Sequence, residues 1–119
     1  MAWMGAVRVA SVDECRDAMF ELAGRLAANT EAQGRLDLER TVACRLTDLG
    51  AAFNGRLAGG LLVDITDGDN PNAKIALSLK SDDFLALVRG DLDITRALAG
   101  GKMRIKANPF DLLKLRKML

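Results

Sequence analysis

The last third of the chain, residues 75–119, constrains the fold more than any other part because its pattern changes repeatedly over a short distance. Residues 73–80 alternate, with Ile75, Leu77 and Leu79 on one face, which predicts a strand. Two short helical segments follow, and they end at Gly90 and at Gly100–Gly101. Lys102–Ala107 alternates again, with Met103 and Ile105 inward, and an amphipathic helix closes the chain. This order predicts one domain of mixed helices and strands.

The N-terminal part of the pattern is a longer helix. Ser11 and Glu14 have the spacing of a capping box, in which each side chain accepts a hydrogen bond from the other residue's backbone N–H. The apolar residues that follow recur every three or four positions and predict a helix of about four to five turns: Val12, Cys15, Met19, Leu22 and Leu26. The polar stretch from Asn29 to Asp37 predicts a connecting loop or a ragged helix.

Three short strands are predicted in the middle of the chain. Arg40–Thr47 and Ala51–Leu57 alternate cleanly, and in the third strand Leu61, Val63 and Ile65 form the apolar face. The connections at 48–50 and 58–60 are short and contain glycine, as hairpins require. A meander of this kind hides one face against helices and leaves the other face wet.

Polar residues predict where the helices of the last third begin. Ser81 is expected to cap the first of them, with Asp82 in its first turn at the positive end of the helix dipole. Asp93 is expected to cap the second. Asn108 followed by Pro109 is the signature of a capped start for the closing helix.

The residue types argue against catalysis and metal binding. The chain has no histidine and no tyrosine, so a Ser-His or Cys-His pair and His-based metal sites are excluded. Two cysteines do not complete a structural zinc site. The acidic turn Asp67–Asn72 resembles the start of a calcium loop but lacks the late glutamate. We expect no enzyme activity, no metal and no cofactor.

Charge and cysteine content suggest the surroundings of the protein. The net charge is +1, which gives no reason to expect binding to nucleic acid. Cys15 and Cys44 occupy inward positions, so we expect buried reduced thiols in a cytoplasmic protein. Residues 1–10 have the features of an N-terminal tail rather than a signal peptide, and no apolar run is long enough to span a membrane.

Basic residues are concentrated near the C-terminus, where a single acid, Asp111, accompanies them. They are Lys102, Arg104, Lys106, Lys114, Arg116 and Lys117. One interpretation is a solvated face on a strand and a helix. The other is a surface that makes transient contact with an anionic membrane or with a phosphate-bearing ligand.

The last third also resembles a known family, the sterol carrier protein type two family of lipid-binding domains. The matching segments are Ile75–Leu79, Ser81–Phe84, Leu87–Gly90, Ala97–Gly100, Gly101–Lys106 and Asn108. The resemblance implies a single α+β domain over residues 11–119. It also implies a five-stranded, largely antiparallel sheet with helices on one face and an apolar tunnel between the layers. The Ala-, Leu- and Arg-rich composition suggests a short bacterial member.

The resemblance implies non-catalytic binding or transfer of a fatty acid, an acyl-CoA, an isoprenoid or a sterol-like lipid. Carried over by position, the tunnel wall consists of Phe84, Leu87, Val88, Leu98, Met103, Ile105, Phe110 and Leu113. Each of these is equally suited to an ordinary core. Two departures bear on the site: Phe53 stands where many members have tryptophan, and the sequence stops at Leu119 without the segment that closes one tunnel mouth in longer members. The alternative function is a protein-interaction or homodimerisation module that uses the same apolar groove.

Overall fold

The computed structural model describes residues 11–28 and 39–118. The elements are α1 (Val12–Ala28), β1 (Arg40–Leu46), β2 (Ala51–Ala58), β3 (Leu61–Asp67), β4 (Ile75–Leu79), α2 (Ser81–Arg89), α3 (Ile94–Ala99), β5 (Met103–Lys106) and α4 (Pro109–Met118). The predicted tail 1–10 and the predicted connection 29–37 lie outside the described residues, as do the side chains of Leu26 and of residues 114–119.

The five strands form one sheet in the order β3-β2-β1-β4-β5. β1 is the central strand and runs parallel to β4, whereas the β1–β2, β2–β3 and β4–β5 pairs are antiparallel. The two edge strands are β3 and β5. The prediction of a five-stranded, largely antiparallel sheet is confirmed.

One face of the sheet carries the core. In β1, Cys44 lies opposite Phe53 of β2 and Leu77 of β4, so these three side chains share a face. Helices α1, α2 and α3 supply the other half of the core through Cys15, Ala18, Met19, Phe84, Val88 and Ala97. The prediction that the helices cover one face is therefore confirmed.

The apolar face of β3 differs from the predicted one. The expected face was Leu61, Val63 and Ile65, but the buried residue is Leu62, at 9% exposure. Ile65 still packs against the core, whereas Leu61 and Val63 are half-buried and lie outside the core cluster. The strand therefore changes its phase between Leu62 and Ile65.

A β-bulge causes this change of phase. The pairing of β2 with β3 shifts at Gly55, which lies opposite both Asp64 and Ile65. Asp64 has a positive φ of 57°, a conformation that local strain makes unusual for a residue with a side chain. A Cβ atom at Gly55 would lie 3.0 Å from the carbonyl oxygen of Val63, a tight contact that favours glycine at this position.

Helix α1 begins at the predicted capping box and is fixed to the end of β3. The Glu14 N–H donates to Ser11 Oγ at 3.1 Å, and the Ser11 N–H donates to Glu14 Oε1 at 3.3 Å. Arg16 donates from Nε and Nη2 to the two carboxylate oxygens of Asp67, at 2.9 and 2.6 Å. These hydrogen bonds hold the pKa of Asp67 below its ordinary value. The Arg16 guanidinium also lies 5.8 Å from the centre of the Phe53 ring, so it covers the core beneath it.

Two of the three predicted caps in the last third are confirmed. The Asp93 side chain accepts from the Arg96 N–H at 3.1 Å, and the Asn108 side chain accepts from the Asp111 N–H at 2.8 Å. The prediction for Ser81 is wrong, because the N-cap of α2 is Lys80, which makes no side-chain capping bond. Gly90 ends α2 in the left-handed conformation, as predicted.

Candidate functional site

The structure places the eight predicted wall residues in three environments. Phe84, Val88 and Met103 are buried in the core, at 1%, 3% and 1% exposure. Leu87, Leu98 and Ile105 are half-buried and pack against that core. Phe110 and Leu113 are exposed on α4, at 80% and 56%. The structure therefore brings six of the eight to the layer between sheet and helices and leaves the two α4 residues outside it.

On the core face of β4 and β5, the burial of the side chains differs between one cross-strand row and the next. The strand pairing aligns one cross-strand row of Leu46, Leu79 and Met103, which are each 1% exposed. Two residues along, the next row contains Cys44, Leu77 and Ile105. In that row Cys44 is buried, but Leu77 and Ile105 are only half-buried. We call Leu77 and Ile105 the open pair.

The helices beside the open pair contribute little apolar volume. Helix α3 has six residues, and its buried residue is the small Ala97. In the part of α4 with described side chains, residues 109–113, the buried residue is a carboxylate, Asp111, at 2% exposure. The open pair is therefore a part of the core face where an additional apolar group would find contacts without displacing a fully buried side chain.

An ion pair holds α4 against the start of β1. Arg40 donates from Nε to Asp111 Oδ2 at 2.9 Å, and the Asp111 side chain is almost fully buried while that of Arg40 is about one-third exposed. The Asn108 cap fixes the backbone of the same turn. Sequence reasoning missed this contact, and the only available signal was that Asp111 is the lone acid in a basic segment.

A second carboxylate holds the start of α2. Asp48, in the turn after β1, accepts from the Ser81 N–H at 2.8 Å and from the Ser81 hydroxyl at 2.7 Å. Burial pushes the pKa of Asp48 up, but the hydrogen bonds from Ser81 outweigh burial and lower the pKa below its ordinary value. This contact orients the helix that carries Phe84 and Val88. It was missed because its partners lie far apart in the sequence.

A cavity of about 830 Å³ is lined mostly by polar and charged residues. Its lining is Thr47, Asp48, Ser78, Leu79, Lys80, Asp82, Asp83, Gly101, Lys102 and Arg104. A second cavity of about 270 Å³ lies between α1 and α2, and a third of about 230 Å³ lies beside α3. Of the predicted wall residues, these three cavities include Val88 only. The tunnel stays a prediction.

The predicted basic surface is visible in part. Lys102, Arg104 and Lys106 are exposed, and Arg104 and Lys106 alternate with Ile105, so they lie on the sheet face opposite the core. Seven arginines with described side chains form ion pairs: Arg16, Arg25, Arg40, Arg45, Arg56, Arg89 and Arg96. Among the arginines whose side chains are described, only Arg104 has no ion-pair partner. The side chains of Lys114, Arg116 and Lys117 are outside the described part.

The two cysteines and the acidic turn have structural surroundings. Cys15 and Cys44 are free and buried, as predicted. Burial raises the pKa of the Cys15 thiol to about 11 and that of Cys44 to about 12, so neither is a nucleophile at neutral pH. In the acidic turn, Asp69 accepts a hydrogen bond from Arg45 at 2.9 Å. Residues 11–28 and 39–118 contain no group of three or more side chains suited to holding a metal ion.

None of the helices in the described residues is both long enough and apolar enough to cross a bilayer.

Comparisons with known proteins agree on the fold. The model of the SCP-2 sterol transfer family matches residues 20–119. The sterol carrier protein domain 2 of Helicoverpa armigera is 16% identical, with a TM-score of 0.72 over 94% of this chain and 91% of that one. Palmitated SCP2L2 from Aedes aegypti is 15% identical, with a TM-score of 0.61 over 84% of this chain and 88% of that one. No curated protein sequence matches the chain.

The same fold is also found within much longer proteins. The stereoselective inverting sec-alkylsulfatase Pisa1 from Pseudomonas sp. is 23% identical, with a TM-score of 0.62. The match covers 82% of this chain but only 15% of the sulfatase chain. At these identities the structural matches establish the fold alone.

Proposed function

The chain belongs to the SCP-2 sterol transfer family, and from this membership we propose that it binds and transfers a hydrophobic molecule without catalysing a reaction. The cargo classes are fatty acids, acyl-CoA, isoprenoids and sterol-like lipids. The observation that carries the proposal is the open pair, Leu77 and Ile105, which is half-buried beside the fully buried row of Leu46, Leu79 and Met103. The palmitated state of the Aedes aegypti relative supports a fatty acid as the first cargo to test.

The open pair offers the cargo its first contacts. Leu87 and Leu98 are half-buried against the same core, and we assign them to the wall beside it. Phe84, Val88 and Met103 form the floor, where the flexible Met103 side chain is best suited to adjust to different shapes. A tunnel forms in this proposal when cargo enters between the layers.

Reversible transfer follows from the energetics of an apolar site. Burial of an acyl chain out of water is favourable by about 0.8 kcal/mol per CH₂ group. A bilayer already keeps the chain dry, so moving it from bilayer to protein changes the free energy little. Cargo therefore exchanges with a membrane but does not escape into water.

The proposal also assigns roles to the basic residues near the C-terminus and to the buried thiols. We assign Lys102, Arg104 and Lys106, with Lys114, Arg116 and Lys117, to contact with anionic headgroups. The free buried thiols suit a cytoplasmic location. We treat residues 11–119 as the single functional domain.

A variant at the open pair tests the site against a matched control. Ile105 lies in the edge strand β5, and Ile65 lies in the opposite edge strand β3; both are half-buried against the core. We expect Ile105→Ala to weaken displacement of a fluorescent fatty acid by unlabelled palmitate about five- to tenfold, since apolar contacts with the cargo are lost. Ile65→Ala should leave the affinity unchanged. Equal effects of the two variants, or an absence of fatty-acid binding by the parent, would contradict the proposal.

A second candidate function is a protein-interaction or homodimerisation module. The observation in its favour is that this fold forms about a sixth of a sulfatase chain, where it accompanies an enzyme. Native mass spectrometry of freshly purified protein separates the two functions. Bound lipid in a monomer supports the carrier, and a ligand-free dimer supports the module.

A further inference from the structure

Helix α4 presents two exposed apolar side chains on one side. Three large hydrophobic side chains in the described part of the chain are exposed: Phe20, Phe110 and Leu113. Phe110 and Leu113 are three residues apart on the same helix, so they are neighbours on its surface. An 80% exposed phenylalanine beside a 56% exposed leucine is an unfavourable arrangement in water, which calls for a physical reason.

The Arg40–Asp111 ion pair supplies that reason. It fixes the side of α4 that carries Asp111 toward the start of β1. Side chains one residue before and two residues after a helical position point about 100° and 200° away from it. Phe110 and Leu113 therefore point away from the anchored side. Turning them inward would separate a buried carboxylate from its arginine, which is strongly unfavourable.

The charges in the sequence on either side of this apolar pair are mostly positive. Lys106 precedes Phe110 by four residues, and Lys106 and Lys102 are both exposed and have no ion-pair partner in the described structure. In the sequence, Lys114, Arg116 and Lys117 follow on the same helix. The one acid of this segment, Asp111, is neutralised by Arg40. The segment from Lys102 to Lys117 therefore complements a negatively charged partner.

An anionic bilayer fits these observations better than another protein does. A stable protein interface buries about 800 Å² on each partner, far more than two side chains provide. An interfacial helix, in contrast, needs only an apolar edge that enters the boundary between headgroups and acyl chains, with cations beside it. Residues with large apolar groups and adjacent basic residues match this second requirement.

We propose that α4 is the membrane-docking element, and that Phe110 and Leu113 insert into an anionic bilayer while the neighbouring cations contact its headgroups. The inference rests on the proposed function and deepens it by naming the surface that meets the membrane. It also gives the two α4 residues a different role from the predicted tunnel wall.

A vesicle-binding experiment with the full chain tests the inference. The probe is phosphatidylcholine vesicles with or without phosphatidylglycerol, and the variant is Phe110→Ser/Leu113→Ser. We expect the double variant to bind the anionic vesicles about tenfold more weakly or worse. Phe20→Ser, at a 54% exposed phenylalanine on α1, is the matched control and should bind as the parent does. Parent-like binding by the double variant, or an equal loss with Phe20→Ser, overturns the inference.

A fluorescence experiment tests insertion itself. Trp3 is the single tryptophan, so Trp3→Phe/Phe110→Trp places the only reporter on α4. We expect bromine-labelled acyl chains to quench it in anionic vesicles, and high salt to weaken the association. Association without quenching overturns insertion.

Palmitate displacement in the absence of vesicles separates this inference from the proposed function. The Phe110→Ser/Leu113→Ser variant should retain the affinity of the parent, because the two side chains lie outside the apolar layer. Normal palmitate binding together with unchanged vesicle binding would refute the docking role and leave the carrier function intact. Vesicle insertion without any palmitate binding would refute the carrier function instead. Loss of palmitate binding in the double variant would return Phe110 and Leu113 to the tunnel wall and overturn the inference.

Discussion

The two ends of the apolar layer are built differently. Under α1 and α2 the layer contains fully buried side chains, including Cys15, Met19 and Phe84. On α3, and on α4 as far as Leu113, the buried residues are Ala97 and Asp111, and the open pair stays half-buried. The difference indicates that one end provides most of the stability; in the proposed function the other end receives the cargo.

The two ends also differ in how a carboxylate fixes a helix. Asp48 is exposed and accepts hydrogen bonds from the neutral Ser81 at the start of α2. Asp111 of α4 is buried and forms an ion pair with Arg40 at the start of β1. The first contact adds a modest amount to an already well-packed helix. The second attaches a helix whose Phe110 and Leu113 side chains are exposed.

The largest expected effect is loss of packing at the closed end. Phe84→Ala should lower the free energy of unfolding by about 3–5 kcal/mol, because it leaves a cavity in a dense core. Leu98→Ala at the open end should cost only about 1–2 kcal/mol, since that side chain is half-buried. Urea denaturation of both variants measures the difference. Equal losses in the free energy of unfolding would show that the two ends are packed alike and would contradict the difference described above.

The next effect concerns the attachment of α4. Asp111→Ala should lower the free energy of unfolding by about 2 kcal/mol, because it leaves Arg40 without its partner; partial exposure of Arg40 reduces the cost from that of a fully buried pair. The double variant Arg40→Met/Asp111→Leu should recover most of the loss, since apolar side chains of similar size replace both charges. If the double variant is no more stable than Asp111→Ala, the ion pair does not act as described.

The smallest effect is a pH dependence at the start of α2. Because folding lowers the pKa of Asp48, its contribution is present above the unfolded-state pKa of about 3.9 and is lost as pH falls through the folded-state value. Asp48→Asn should therefore be less stable than the parent at neutral pH by about 0.5–1 kcal/mol, given the exposure of the carboxylate. The gap should narrow below about pH 4. Thermal unfolding across this range measures it, and a gap that stays constant would contradict the assigned role.

Most of the fold could be predicted because its signals are local. Alternation identified the strands, and the pairs Ser11 with Glu14 and Asp93 with Arg96 lie within one helical turn. The change of phase in β3 could not be predicted, because it depends on the approach of Gly55 to a neighbouring strand. The prediction that Ser81 caps α2 was also wrong, because the Ser81 hydroxyl donates instead to Asp48, which lies in a turn far away in the sequence.

The candidate site could be predicted only in part. The alternation around Ile105 identified an inward-facing residue, and the structure agrees. Leu77 was recognised as part of a strand face but not as part of the open pair. For Phe110, the family resemblance implied a wall position, whereas the structure exposes the side chain. The contact between Asp111 and Arg40 sets the rotation of α4, and hydrophobicity holds no information about that contact.

Local periodicity and residue chemistry were thus enough to establish an α+β chain with five strands, glycine-ended short helices and no histidine-based chemistry, because each of these depends on neighbours within a few positions. The open pair, the bulge at Gly55 and the outward side of α4 arose only when distant segments met. Burial is a property of the space between elements, and that space is defined by contacts such as Arg40 with Asp111, which join residues far apart along the chain.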